Sequence, residues 1–223
     1  MRRFRRSVTG LIAAGCLLGG IAGCGAPAFT YATDSHDQTY FKVPSSWHQV
    51  NPQELALVQA DLLAKSPIGR SGGSYTWSAA YSALANPPSD RIIDGSTEPV
   101  VYVSVQDVDS TLRSELSFDV MRDVLFPVTA TARQEAAAAG AKLTGFDQIS
   151  STTLTDNDGV RGINELYEYN VGGAADVFDQ TVLTNSATDK LYVMLVQCYQ
   201  ACFVANEKQI ATVINSFLVR GSS

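Results

Sequence analysis

Four groups of residues in this 223-residue chain have types and spacings that could do chemistry. Cys198 and Cys202, in "LVQCYQACF", could clip a metal, cycle as a redox pair or staple a turn. Gly69-Arg70-Ser71-Gly72-Gly73 fits the G-x-S-x-G pattern of a serine nucleophile. Such a nucleophile sits between a preceding strand and a following helix, whereas here the patterning predicts a helix before and a strand after. A triad would also need a downstream histidine, and His48 is the last in the chain. The segment therefore reads as a glycine loop. Asp156-Asn157-Asp158-Gly159, with Glu165 beyond it, loosely resembles a calcium loop. Aligning Gly159 with the turn position puts Leu154 where the first carboxylate ligand belongs, so a hairpin turn explains it better. His36 and His48 have no partner for proton transfer. Trp47, Tyr75, Trp77 and Tyr81 could line a pocket, but aromatic residues at strand spacing belong to a core. No glycine stretch runs into Lys-Ser or Lys-Thr, so there is no phosphate loop. No catalytic residue, metal site or cofactor is expected.

What the cysteines do depends on compartment, and the N-terminus addresses that. "MRRFRRSVTGLIAAGCLLGGIAGCGAP" has four arginines, no acid, an apolar run from Val8 to Gly23 and small residues around a cysteine. That is the anatomy of a secretory signal peptide. The run is shorter than the roughly 20 residues a bilayer core requires and is diluted by glycine, which argues against a membrane-spanning helix. Ile21-Ala22-Gly23-Cys24 resembles the lipobox of bacterial lipoproteins, in which the cysteine is acylated and the bond before it cut. Cys16 would leave too short an apolar core, so Cys24 is the expected lipidation site. Either Sec or twin-arginine export fits, the latter poorly because Phe4 is misplaced. Two or more acyl chains anchor stably, since each buried methylene contributes about 0.8 kcal/mol.

Removing residues 1–23 leaves 12 basic residues against 22 acidic ones, a net charge of −10. Such a chain repels phosphate backbones, which excludes nucleic acid as a partner. Outside the cytoplasmic membrane, two thiols this close in sequence are oxidised. A zinc site would need about four ligands, and the mature chain offers only the two distant histidines beside these thiols. A Cys198–Cys202 disulfide is the expectation, closing a short loop at a strand end and contributing about 2 kcal/mol.

The elements follow from periodicity. Residues 24–38 show no apolar period and read as a lipidated cysteine and flexible tether, preceding a single domain over 39–220. "TYFKVP" predicts a strand ending before Pro44. Asn51-Pro52-Gln53-Glu54 starts a helix carrying Leu55, Val58 and Leu62 on one face. Strands are predicted in "SYTWSAAYSAL" and "EPVVYVSVQDVD". A helix over Leu112–Leu125 and a second capped by Thr131 and closed by Gly140 come next. "FDQISSTTLTD", "VRGINELYEYNV", "ADVFDQTVLTN" and "LYVMLVQCY" form consecutive hairpins, the last apolar enough to lie centrally. Asn206 caps a final helix with Ile210, Val213, Ile214 and Phe217 on its buried face. The result is an α+β chain with helices on both faces of an antiparallel sheet.

These residues resemble a known family. "YFKVPSSWHQV" is similar to the opening strand and F-x-V-P-x-x-W signature of PsbP-like lipoproteins, and "KQIATVINSFLV" to their closing helix. "VFDQTVLTNSATDKLYVMLVQC" is similar to their paired strands. The resemblance covers most of residues 39–220 and implies an α/β/α sandwich around a sheet of about six strands, a fold also shared with Ran-binding proteins. The motifs are core and turn residues, so they carry the fold and not a function. The expected protein is an extracytoplasmic lipoprotein on the cell membrane, held by its lipid and binding an envelope component without catalysis. A carrier of a small apolar or lipid ligand, and a hydrolase using Ser71 or the acidic residues, are the competing expectations.

Overall fold

The computed structural model describes residues 27–65, 74–155 and 158–220. Cys24 and the expected signal peptide, the Ser71 loop, and Asp156 and Asn157 lie outside the described residues. Seven antiparallel strands form the central sheet, in the order β3 (His48–Gln49), β4 (Ser74–Ser82), β5 (Val100–Asp107), β9 (Lys190–Tyr199), β8 (Ala174–Thr184), β7 (Arg161–Val171) and β6 (Thr144–Thr155). β9 is central because nearly every side chain in it is apolar and buried, Leu191 to Cys198 on alternating faces. β7 and β8 meet in a two-residue turn at Gly172 and Gly173, both at positive φ, the conformation that lets a tight turn follow the strand twist.

One face of this sheet is covered by helix and sheet together. β1 (Phe29–Asp34), β2 (Thr39–Pro44) and β10 (Leu218–Val219) make a three-stranded sheet. Its Ala32, Phe41 and Val43 pack with Ala79, Tyr81, Val101, Val103, Met194 and Val196. α6 (Glu207–Ile214) adds Ile210 and Val213 to the same cluster. The expected tether over 24–38 is therefore shorter than its composition suggested: β1 occupies Phe29–Asp34, all six residues paired with β2. Only Ala32 of that strand is buried, so its order comes from the backbone ladder and left no apolar period to read.

The opposite face is covered by α1 (Pro52–Lys65), a 3-10 turn (Ser89–Ile92), α2 (Ser110–Glu115) and α3 (Phe118–Arg122), while α4 (Ala130–Ala138) lies near Phe146 and adds no buried residue. Asn51 caps α1 through Gln53 N–H at 2.9 Å. The single helix expected over Leu112–Leu125 is two, because Asp109 and Ser117 each cap a new start and Leu116 is extended. Thr129 rather than Thr131 caps α4, its hydroxyl accepting from Ala132 N–H. α5 (Gln200–Ala205) directly follows β9 and was not anticipated, nor was β10. Asn206 precedes α6 but gives no cap: its side chain donates to Cys202 O at 2.9 Å.

A candidate ligand cleft beneath an alanine-rich helix

α4 stands off the sheet, sharing two cavities with Leu143, Phe146, Tyr169 and Val171, and its alanines are too short to fill the space. α4 contributes no buried residue, and Ala132, Ala136 and Ala139 fall on one helical face with nothing longer than a methyl to project. The helix is held instead at its N-terminal end. Asp123 accepts from Val128 N–H at 2.7 Å, Thr129 N–H at 2.8 Å and the Thr129 hydroxyl at 2.6 Å. Arg133 lies over the Phe146 ring at 4.0 Å and donates to Val128 O. Gly140, at φ +84, ends the helix.

A half-open cleft of about 850 Å³ remains under and beside the helix. Leu62, Ile93, Leu125, Phe126, Leu143 and Val171 form its apolar walls. Asp61, Asp94, Glu135 and Lys142 also line it. A smaller cavity of about 120 Å³ sits behind the same helix against Phe146 and Tyr169. Phe126 of the cleft wall packs down onto a floor of core rings, with contacts of 4.6 Å (Phe126–Phe178), 5.3 Å (Tyr167–Phe178) and 6.1 Å (Tyr167–Tyr169). Tyr169 also donates its hydroxyl to Pro127 O. Burial raises Tyr169 to about 12, so the phenol stays protonated and keeps that bond.

Two buried polar groups lie beside this floor. Asp176 is fully buried, no side chain among the described residues donates to its carboxylate, and burial pushes its pKa up to about 7 against the opposing effect of the Val177 backbone N–H. Gly95, at φ +82, lets the loop after the 3-10 turn close over it. A β-carbon there would meet the Tyr199 ring at 2.6 Å and Asp176 Oδ2 at 3.2 Å. Glu165, also fully buried, accepts from Arg122 Nε at 2.8 Å, Gln148 Nε2 at 2.8 Å and the Ser151 hydroxyl at 2.6 Å. That pairing fixes α3 to the sheet, and gives Glu165 a structural role apart from the Asp158–Gly159 turn.

The residues singled out in the sequence do not converge on the cleft. Cys198 and Cys202 are joined by a disulfide, Cα–Cα 5.9 Å, that ties α5 to the end of β9 on the other face. His36 is exposed beside Asp37, and His48 is exposed in β3. Trp47 and Tyr81 are core, in edge-on or close packing with Phe41 and its neighbours, and Trp77 is partly buried against them. The cleft was missed because its sequence signal is a lack of bulk: "ARQEAAAAGA" reads as helix propensity. Among the described residues, the cleft's lining includes no serine, cysteine or histidine. Among the described residues no helix is long and apolar enough to cross a membrane, and no three His, Cys, Asp or Glu side chains group as metal ligands.

Fold and cleft define a mixed α+β domain in which an antiparallel sheet is covered on both faces and one cover is left incomplete. By sequence, the chain matches no protein-family model and no curated protein. Among solved structures it is similar to the cyanobacterial PsbP of Synechocystis sp. PCC 6803, at 18% identity and a TM-score of 0.49, covering 91% of this chain and 98% of that one. It is also similar to LpqN of Mycobacterium tuberculosis, a protein involved in cell envelope biogenesis, at 11% identity, TM-score 0.44, and 88% and 87% coverage. The Ran-binding protein Mog1p of Saccharomyces cerevisiae is similar at 10% identity, TM-score 0.44, and 86% and 96% coverage.

Proposed function

We propose that this protein is a lipid-anchored, extracytoplasmic binding module that catalyses no reaction, and that the cleft beneath α4 receives the apolar part of an envelope component. The observation that carries this reading is the cleft itself. Its volume of about 850 Å³ falls in the range of sites that enclose small organic ligands, and its walls are aliphatic and aromatic with charged groups beside them. That pattern suits an amphiphile whose body enters the cleft while a polar end stays near Asp94, Glu135 and Lys142. A small apolar or lipid ligand fits this geometry directly. Anchoring through Cys24 would keep the module within the envelope that holds such a ligand.

Nile red, a neutral apolar dye, tests the site. The expected result is saturable binding by the wild-type chain and at least tenfold weaker binding by Ala132→Phe and Ala136→Phe, which fill the cleft without touching the sheet. Undiminished binding by both variants would place the apolar site elsewhere. The anchor is tested separately: Cys24→Ala should release the protein from the membrane fraction, and continued attachment would sink that part of the reading.

A further inference from the structure

The outer surface of the three-stranded sheet differs from the rest of this acidic protein. Side chains alternate along β1 and β2, with Ala32, Phe41 and Val43 inward, so Phe29, Tyr31, Thr33, Tyr40, Lys42 and Pro44 point away from the core. On β10, Leu218 lies opposite Tyr40 and is 44% exposed; Tyr31 is 71% exposed. Two cations sit among these rings, Lys42 Nζ at 4.5 Å from the Phe29 centroid and the Arg220 guanidinium at 5.5 Å from that of Tyr40. None of these outward positions is acidic, although the mature chain carries ten more acids than bases.

We infer that this face is a membrane-docking surface which lies against an anionic bilayer. Three observations converge on that occupant. Aromatic rings with a polar edge and basic side chains with long apolar stems are the residues that partition at a headgroup layer, each keeping its charged end wet. The two cations give the face the sign that an anionic leaflet attracts, while the acidic remainder of the domain is repelled and turned outward. The third observation is length, and it rests on the proposed acylation of Cys24. That cysteine stands only five residues before Phe29, the first residue of β1. Five residues span at most about 17 Å, so an acylated Cys24 would hold the start of β1 at the headgroups. The cleft, on the opposite side of the central sheet, would then open away from the bilayer.

The test uses the full-length acylated protein in phosphatidylcholine vesicles with and without phosphatidylglycerol. Single fluorescent labels are placed at Thr33→Cys, on this face, and at Gln134→Cys, on α4, and quenched by spin-labelled lipid. The expected result is several-fold stronger quenching at position 33 than at 134. Lys42→Glu and Arg220→Glu should each reduce the difference, and each should weaken binding of a Cys24→Ser chain to phosphatidylglycerol vesicles about fivefold or more. Equal quenching at the two positions would overturn the docking face. A label at 33 shielded from lipid and from water-soluble quencher alike would mean that a protein covers it, which also overturns the proposal. The anchor fails separately: a chain without an acyl mass that still sediments with phosphatidylglycerol vesicles, and loses this with Lys42→Glu, removes the anchor and leaves the face standing.

Discussion

α4 and α6 are both short helices on opposite sides of the same sheet, yet α6 packs down and seals its layer while α4 stands off and leaves its side open. α6 sends Ile210 and Val213 into the core, where both are buried against Met194, Val196 and Cys198. α4 turns Ala132 and Ala136 that way, with Arg133 on the Phe146 ring, and buries none of them. Side-chain reach is what differs. A helix closes a layer only if its inward residues are long enough to fill the roughly 10 Å between helix axis and sheet. Where they are not, an anchored helix roofs a cavity, and stability must come from other groups on that face.

The largest effect expected from breaking this arrangement is at one of those groups. Arg122→Ala leaves Glu165 fully buried with its charge uncompensated and should destabilise the fold by about 4 kcal/mol, measured by urea denaturation. A loss below about 1 kcal/mol would show that α3 does not need the ion pair to hold the open side together. On the sealed side, Ile210→Ala should cost about 3 kcal/mol, because a fully buried aliphatic group leaves a cavity that close-packed neighbours cannot refill.

The sealed side was the more legible in sequence, and the reason is the same difference in side chains. Ile210 and Val213 mark a helical face by size, though the helix stops at Ile214 short of the expected Phe217, and the continuous apolar run of β9 marks a central strand. β1 was not legible: its order depends on pairing with β2, and tertiary pairing leaves no mark on "FTYATD". The break between α2 and α3 was hidden because Leu116, Val120 and Val124 keep a helical period across it, while the decisive signal is the cap at Ser117. Of the candidate site nothing was legible, since alanines raise helix propensity whether or not they face a void.

Asp176 gives the open side a pH signature. Its pKa is about 7 in the folded protein, raised from an unfolded value near 4, and that of Asp179 is raised to about 6. The folded state therefore holds protons that the unfolded state has released, so stability is greatest below pH 4 as far as these groups are concerned. It falls as pH rises from about 4 to 7. For Asp176 the loss should be on the order of 2 kcal/mol after allowance for relaxation around the charge. Asp37 acts in another window: its carboxyl is held below the usual value by Thr76, Lys190 and His36 against the opposing effect of burial, so its contribution disappears only as pH falls below about 4. Asp176→Asn should flatten the 4–7 slope, leaving the part due to Asp179. An unchanged slope in urea titrations across that range would remove Asp176 as its source.

The smallest expected effect sharpens the comparison most. If α4 roofs a void, Ala136→Leu should change stability by less than about 0.5 kcal/mol, because the added isobutyl group enters space and not a packed core. In a sealed layer the same enlargement would force neighbours apart and cost about 1–3 kcal/mol. Ala211 on α6 is exposed and serves as the control for helix propensity alone. Equal, near-zero changes at 136 and 211 with loss of dye binding only at 136 would identify the cleft as open and ligand-accessible. A loss of about 2 kcal/mol at 136 would mean that the helix settles onto the sheet in solution and that the space is closed. The alanines of α4 would then be a packing solution, and the proposed binding site would fall with the void that motivates it.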